Sequence, residues 1–161
     1  MALVSIVIPV YYNAGSLAAL AGRLSEAAEG MRQHQFEFIY VDDGSGDNSF
    51  EILRQLAEQD GRVRVIKLAR NFGSNSAILA GLTQARGDCA GFIAADLQDP
   101  PETLAEMVAR WEAGDKVVLA VRNARQGAPL FTRLFANLFI FLFKKLVYRD
   151  FSPQVVGFFL V

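Results

Sequence analysis

Two hydrophobic spacings alternate along most of this chain. LVSIVIPV at residues 3–10 is a β-branched apolar run of strand length, and Pro9 near its end suits an edge or a strand terminus. Over residues 16–31, Leu17, Leu20 and Leu24 recur at helical spacing behind Ser16, a residue type that caps helices. Residues 36–41 read as a second strand, and residues 47–58 carry Phe50, Ile52, Leu53 and Leu56 on one helical face. The pattern continues with a strand at 63–68, a helix near 75–85 ended by Gly87, and a buried strand at 89–95. Pro100 and Pro101 open another helix, which runs to about Trp111 and stops at Gly114, and residues 116–121 read as a fifth strand. Strands alternating with helices predict an α/β fold: a mostly parallel central sheet, helices on both faces, and ligands at the carboxyl ends of the strands.

Beyond residue 121 the pattern changes. RNARQGAP at 122–129 is a polar loop punctuated by Gly and Pro, and residues 130–148 are helical in pattern and nearly apolar all round, interrupted by Arg133, Asn137, Lys144 and Lys145. Eight of the thirteen phenylalanines fall between Phe131 and Phe159. This segment is too short and too polar at its ends to span a bilayer. It suits a helix lying in the membrane interface, or a core helix covered by later residues or by a second copy of the chain in a homo-oligomer. The last residues, VVGFFLV, are apolar without a polar close. The sequence therefore leads one to expect an acceptor half that continues past Val161.

Composition narrows the classes. A chain of 161 residues that is 52% hydrophobic and 20% charged can bury one ordinary core, so a single domain over 1–161 is expected. Sixteen basic against seventeen acidic residues give a net charge of -1, which leaves no electrostatic footprint for nucleic acid. The lone Cys89 cannot form an intramolecular disulfide, and SIVIPV lacks the basic head and apolar stretch of a signal peptide. Both point to a reducing, cytoplasmic setting. No run of about 18 uninterrupted apolar residues is present.

The polar residues gather where an α/β sheet binds ligands: Tyr11 and Asn13 after the first strand, Asp42 and Asp43 after the second, Arg70 and Asn71 after the third. After the fourth, IAADLQDPPE sets Asp96, Gln98 and Asp99 behind a buried segment. Carboxylates there can hold a hard divalent cation, which needs only one or two protein oxygens beside substrate phosphates. The same residues can instead turn the chain and cap the Pro100 helix. Asp42 and Asp43 before Gly44 likewise form a turn, with Ser45 or Asp47 capping the next helix, or offer an acceptor to the donor edge of a nucleobase. Neither GxxxxGK[ST] nor GxGxxG follows any strand, which disfavours P-loop nucleotidases and dinucleotide dehydrogenases.

SIVIPVYYNAGSL, FIYVDDGSGDNS, LARNFGSNSAILAGLTQARGD and AADLQDPPE, in this order and spacing, resemble the inverting glycosyltransferases of family 2. The likeness is to the polyprenyl-phosphate sugar synthases, such as dolichol-phosphate mannose synthase, and covers nearly the whole chain. It implies a GT-A fold with a nucleotide-sugar half at 1–101 and an acceptor half at 102–161. It also implies that Pro9, Tyr11, Asp42 and Arg70 hold the base and ribose of a UDP- or GDP-sugar, with Asn13, Asp43, Asn71, Gly73 and Ala95 in the same site. Asp96 and Gln98 would bind Mg2+ or Mn2+, and Arg122 and Arg125 would face a polyprenyl phosphate, whose oxygens an arginine fork pairs two at a time. Asp96, Arg122 and Arg125 would form the catalytic set, at the cytoplasmic face of a membrane.

Three positions depart from the family pattern. Ala94-Ala95-Asp96 stands where Asp-Ala-Asp is usual, Tyr12-Asn13 where Asn-Glu is frequent, and Gly157-Phe158-Phe159-Leu160 where many relatives read Gly-Asp-Phe-Arg. The last removes an acidic residue suited to act as a base. A phosphate monoester acceptor, with a second pKa of about 6, is already largely ionised at neutral pH and needs no such base. A glycan acceptor would need one, from Asp99 or Asp150. A nucleotide-binding or membrane-associated module without catalysis is the remaining alternative.

Overall fold

Why β1 (Leu3–Val10) becomes the centre of the sheet follows from its burial: Val4, Ile6, Val7 and Ile8 are all fully enclosed, as a strand covered on both faces requires. In this computed structural model, residues 1–121 and 155–161 are described, except the side chains of 121 and 155–159. Met1–Leu119 with Gly157–Val161 make one compact unit, and Ala120–Val156 make a second.

The element order is β1, α1 (Leu17–Glu29), β2 (Gln35–Asp42), α2 (Ser49–Gln59), β3 (Val63–Lys67), α3 (Ser74–Leu82), β4 (Cys89–Phe92), a 3-10 turn at Pro101–Thr103, α4 (Leu104–Glu112), β5 (Val118–Val121) and β6 (Val155–Leu160). The sheet runs β3-β2-β1-β4-β6-β5. β1 pairs in parallel with β2 and β4, and β2 with β3, so the order reverses between β1 and β4. That reversal opens a crevice beyond the carboxyl ends of the strands.

Side-chain alternation sorts the core into two layers. Val7, Ile39 and Val41 meet Ala77 of α3, while Phe38 and Tyr40 share the opposite face with Ala18, Ala21 and Leu56 of α1 and α2. Gly81 lets α3 settle closely on the sheet, because a β-carbon there would run into Val7 and Val41. At the amino ends of the strands, buried Glu37 accepts hydrogen bonds from Ser5 Oγ at 2.6 Å, the Arg86 N–H at 2.7 Å and Arg64 at 3.0 Å. Burial raises the Glu37 pKa, but these three donors outweigh it and hold the carboxyl below its ordinary value.

Four local expectations are revised. The fourth strand leaves the ladder at Phe92 rather than 95. Ile93 N–H still donates to Val7 O at 3.0 Å, but the next bond of a parallel ladder would need an N–H on residue 9, and Pro9 has none. Pro9 therefore sits on a central strand, at the place where its neighbour's pairing stops. The third helix ends at Leu82, and the Pro100 segment makes a 3-10 turn before α4. Residues 155–160 form a sixth strand that the sequence reading left unassigned, antiparallel to β4 with Gly91 opposite Leu160. Among the described residues, no helix is long and apolar enough to cross a membrane.

Candidate active site

The loops after four parallel strands meet at the crevice. A cavity of about 230 Å³ is lined by Pro9 and Val10 at the end of β1, Tyr11 and Asn13 just beyond it, Asp43 after β2, Asn71, Gly73 and Ser74 after β3, and Ala94, Ala95 and Asp96 after β4. Eight of the residues singled out from the sequence are thus brought together: Pro9, Tyr11, Asn13, Asp43, Asn71, Gly73, Ala95 and Asp96. Asp42, Arg70 and Gln98 stand outside this lining, and Arg122 and Arg125 lie outside the described residues.

The DDGSGDNS run works as a hub for its neighbours' backbone. Asp43, 2% exposed, accepts the N–H of Phe72 at 2.8 Å and of Gly73 at 2.9 Å, tying the loop after β3 to the end of β2. Gly73 is the residue before α3, so the Asp43 carboxylate also lies at that helix's positive end. Ser45 Oγ accepts the Tyr12 N–H at 3.1 Å, Ser49 Oγ the Asn13 N–H at 3.0 Å, and Asp47 Oδ2 the Ala14 N–H at 3.3 Å. Asp47 Oδ1 takes the Ser49 N–H at 3.1 Å, satisfying the start of α2. Two neighbouring loops are fixed by one segment.

Gly44 makes that convergence possible. Its φ is +71°, and a β-carbon would lie 2.7 Å from the Arg70 carbonyl carbon and 2.8 Å from Asn71 N. Only glycine supplies both the left-handed backbone and the room. Asp42 is fully buried: its Oδ1 accepts the Ser45 N–H at 3.2 Å, while its Oδ2 has no hydrogen-bond donor among the described residues. A buried acceptor left open costs about 1–3 kcal/mol, which an incoming donor recovers.

On the opposite wall, Asp96 Oδ1 accepts the Gln98 N–H at 3.1 Å, a tight aspartate turn that holds Leu97 at φ +63°. Left-handed backbone at a leucine costs about 1–2 kcal/mol and persists here beside the exposed Asp96 carboxylate. Ser16, at the cap position of α1, makes no capping bond. Its hydroxyl donates instead to Ala95 O at 2.6 Å, fastening the first helix to the β4 loop. Arg70 stacks on Phe72, 4.2 Å above the ring centre. No cluster of three or more acidic, histidine or cysteine side chains gathers as a metal cage among the described residues.

Sequence reasoning found the loops but missed Ser16, Ser45, Asp47 and Ser49 as cross-loop acceptors and donors. Their residue types signalled turns and caps. Their partners lie 33 to 79 residues away, and spacing does not disclose such pairs.

Known proteins resemble this arrangement. A Pseudomonas fluorescens undecaprenyl-phosphate 4-deoxy-4-formamido-L-arabinose transferase is 49% identical over 124 residues, covering 76% of this chain and 36% of that protein. Glucosyl-3-phosphoglycerate synthase from Mycobacterium tuberculosis, solved with UDP, superposes with a TM-score of 0.66 at 19% identity, over 99% of this chain and 56% of that one. A mannosyltransferase from Pyrobaculum calidifontis, solved with GDP-Man and Mn2+, gives 0.53 at 20% identity, over 85% and 38%. These likenesses bear out the GT-A fold. The chain spans 36 to 42% of the length of the curated relatives it first matches. The Glycosyl transferase family 2 model matches residues 5–159, and the chain belongs to that family.

Proposed function

We propose that this chain carries the donor-binding part of a transferase that moves a sugar, with inversion, from a UDP- or GDP-sugar to a polyprenyl phosphate at the cytoplasmic face of a membrane. The observation that carries the reading is the crevice at the reversal of strand order, lined by Pro9, Tyr11, Asn13, Asp43, Asn71, Gly73, Ala95 and Asp96. Its family membership, and the 49% identity to an undecaprenyl-phosphate 4-deoxy-4-formamido-L-arabinose transferase, support the acceptor class.

In the proposed reaction an acceptor phosphate oxygen attacks the anomeric carbon as the bond from that carbon to the diphosphate oxygen breaks. The electron pair leaves with the nucleoside diphosphate, and one displacement inverts the configuration. Charge on the leaving group sets the barrier. Asp42 would accept an N–H from the base only once its enclosed, unpartnered Oδ2 is uncovered on binding, and Tyr11 would offer a ring face in the crevice. Ser74, the first residue of α3, would turn its backbone N–H and the helix's positive end toward the diphosphate, the Gly73 N–H being held by Asp43 and Asn71. Arg122 and Arg125 would orient the acceptor phosphate.

Family members generally use a divalent cation, and the donors here suit one. Asp96 presents a carboxylate on the crevice wall with one oxygen engaged by Gln98 N–H, and one or two oxygen ligands suffice where phosphates supply the rest. Bound there by Asp96 and Gln98, Mg2+ or Mn2+ would act as a Lewis acid on the departing diphosphate. Ala94 lines the wall where an added carboxylate would strengthen that hold.

The test is a transfer assay in detergent with radiolabelled nucleotide sugars, offering undecaprenyl phosphate, dolichyl phosphate and soluble glycans. Label in the lipid fraction, lost in Asp96→Ala, is expected. Label entering only soluble glycan would overturn the acceptor assignment.

A further inference from the structure

We infer that Tyr12, which does not line the crevice, is a positioning residue that fixes the ring of Tyr11, which does. The inference rests on the donor-site reading above.

Tyr12 holds an unfavourable backbone. Its φ is +55°, a conformation that costs an L side chain about 1–2 kcal/mol. The loop enforces it from both sides, through the Tyr12 N–H to Ser45 Oγ at 3.1 Å and the Asn13 N–H to Ser49 Oγ at 3.0 Å. Asparagine tolerates this backbone far better than tyrosine, so the aromatic ring needs its own reason. Its surroundings supply one. The Tyr12 phenol lies over Gly46, where a β-carbon would come within 2.5 Å of the hydroxyl oxygen. Seated there, the ring meets Tyr11 edge to face, with centroids 4.7 Å apart and planes at 87°.

Tyr11 is the one aromatic residue among the described lining and is half exposed, so burial alone holds its ring plane only loosely. The edge-to-face contact with Tyr12 adds a second restraint. A fixed ring face at the crevice is what a planar ligand such as a nucleobase stacks on, and fixing it before binding removes part of the ordering cost. The backbone strain at residue 12 is thereby linked to ligand geometry at residue 11.

The experiment is calorimetric titration of the full chain with UDP and with GDP, in the unaltered protein and in Tyr11→Ala, Tyr12→Ala, Tyr12→Asn, Tyr12→Phe and the double variant Tyr11→Ala/Tyr12→Ala. Tyr12→Ala and Tyr12→Asn should each weaken binding about three- to tenfold, the range of an aromatic pair. Tyr12→Phe keeps the ring and should stay within about twofold of the unaltered chain. Because Tyr12 acts through Tyr11, the double variant should bind no more weakly than Tyr11→Ala alone. Tyr12→Asn removes the ring while easing the backbone, so its loss reports ring positioning rather than loop strain. Unchanged binding in Tyr12→Asn, or losses that add in the double variant, would overturn the positioning role and leave the donor site standing if Tyr11→Ala still weakens binding. Unchanged binding in Tyr11→Ala, or no binding of either nucleotide to the unaltered chain, would overturn both.

Discussion

Removing the Asp43 carboxylate should unfasten the crevice before it touches any ligand. In Asp43→Ala, the N–H groups of Phe72 and Gly73 lose acceptors at 2.8 and 2.9 Å. A hydrogen bond to a charged group contributes about 1.5–3 kcal/mol. Gly73 N–H keeps a second acceptor, Asn71 Oδ1 at 2.9 Å, so its loss is partly offset. The negative charge at the head of α3 adds about 0.3–1 kcal/mol. With Asp43 only 2% exposed, water gives little back, and the expected cost is about 3 kcal/mol. At roughly 2–4 °C per kcal/mol for a chain of this size, the melting temperature should fall by about 6–12 °C. Asp43→Asn should be nearly as costly, because its amide NH2 faces a backbone N–H. The assay is thermal and urea denaturation beside UDP and GDP titration. A melting temperature within about 2 °C of the unaltered chain, with nucleotide binding abolished, would refute the loop-fastening role and make Asp43 a ligand contact alone.

Gly44→Ala should cost at least about 2 kcal/mol in urea denaturation, from left-handed backbone and a β-carbon against Arg70. Gly15→Ala, with open space around the added carbon, should be neutral or slightly stabilising. The Glu37 carboxyl is held below its ordinary value near 4.5, so its contribution is present above that pH and is lost as pH falls through the lowered folded value. Stability measured from pH 7 to pH 3 should therefore drop more steeply in the unaltered chain than in Glu37→Gln; parallel profiles would contradict this. Burial, with Asp88 adding to it, pushes the Cys89 thiol up to about 11, so iodoacetamide at pH 8 should label Cys89 only after denaturation.

What the sequence disclosed, and what it did not, divides along the range of the interactions. The strand and helix alternation, the crevice at the strand ends and eight of its lining residues were legible because they follow from period, turn chemistry and motif order. Pro9 was legible as a terminator, yet what it terminates is the pairing of its neighbour β4. β6 escaped notice because a short apolar run near the end of the chain has no periodicity of its own, and its partner β4 lies nearly seventy residues earlier. By residue type and turn chemistry alone, Asp42 and Asp43 stood together as a pair, and only the family resemblance set Asp42 apart. The fold separates them, giving Asp43 two backbone N–H groups to hold and leaving one Asp42 oxygen open. That division of labour depends on the loop after β3 and cannot be read from adjacency.

The measurement that bears most directly on the central claim is titration of the chain with UDP and GDP in the presence and absence of Mn2+, for the unaltered protein and Asp96→Ala. One nucleoside diphosphate should bind at a single site, more tightly with Mn2+, and Asp96→Ala should abolish that metal-dependent gain. Absence of binding by either nucleotide, or binding that is indifferent to both Mn2+ and Asp96, would contradict the account.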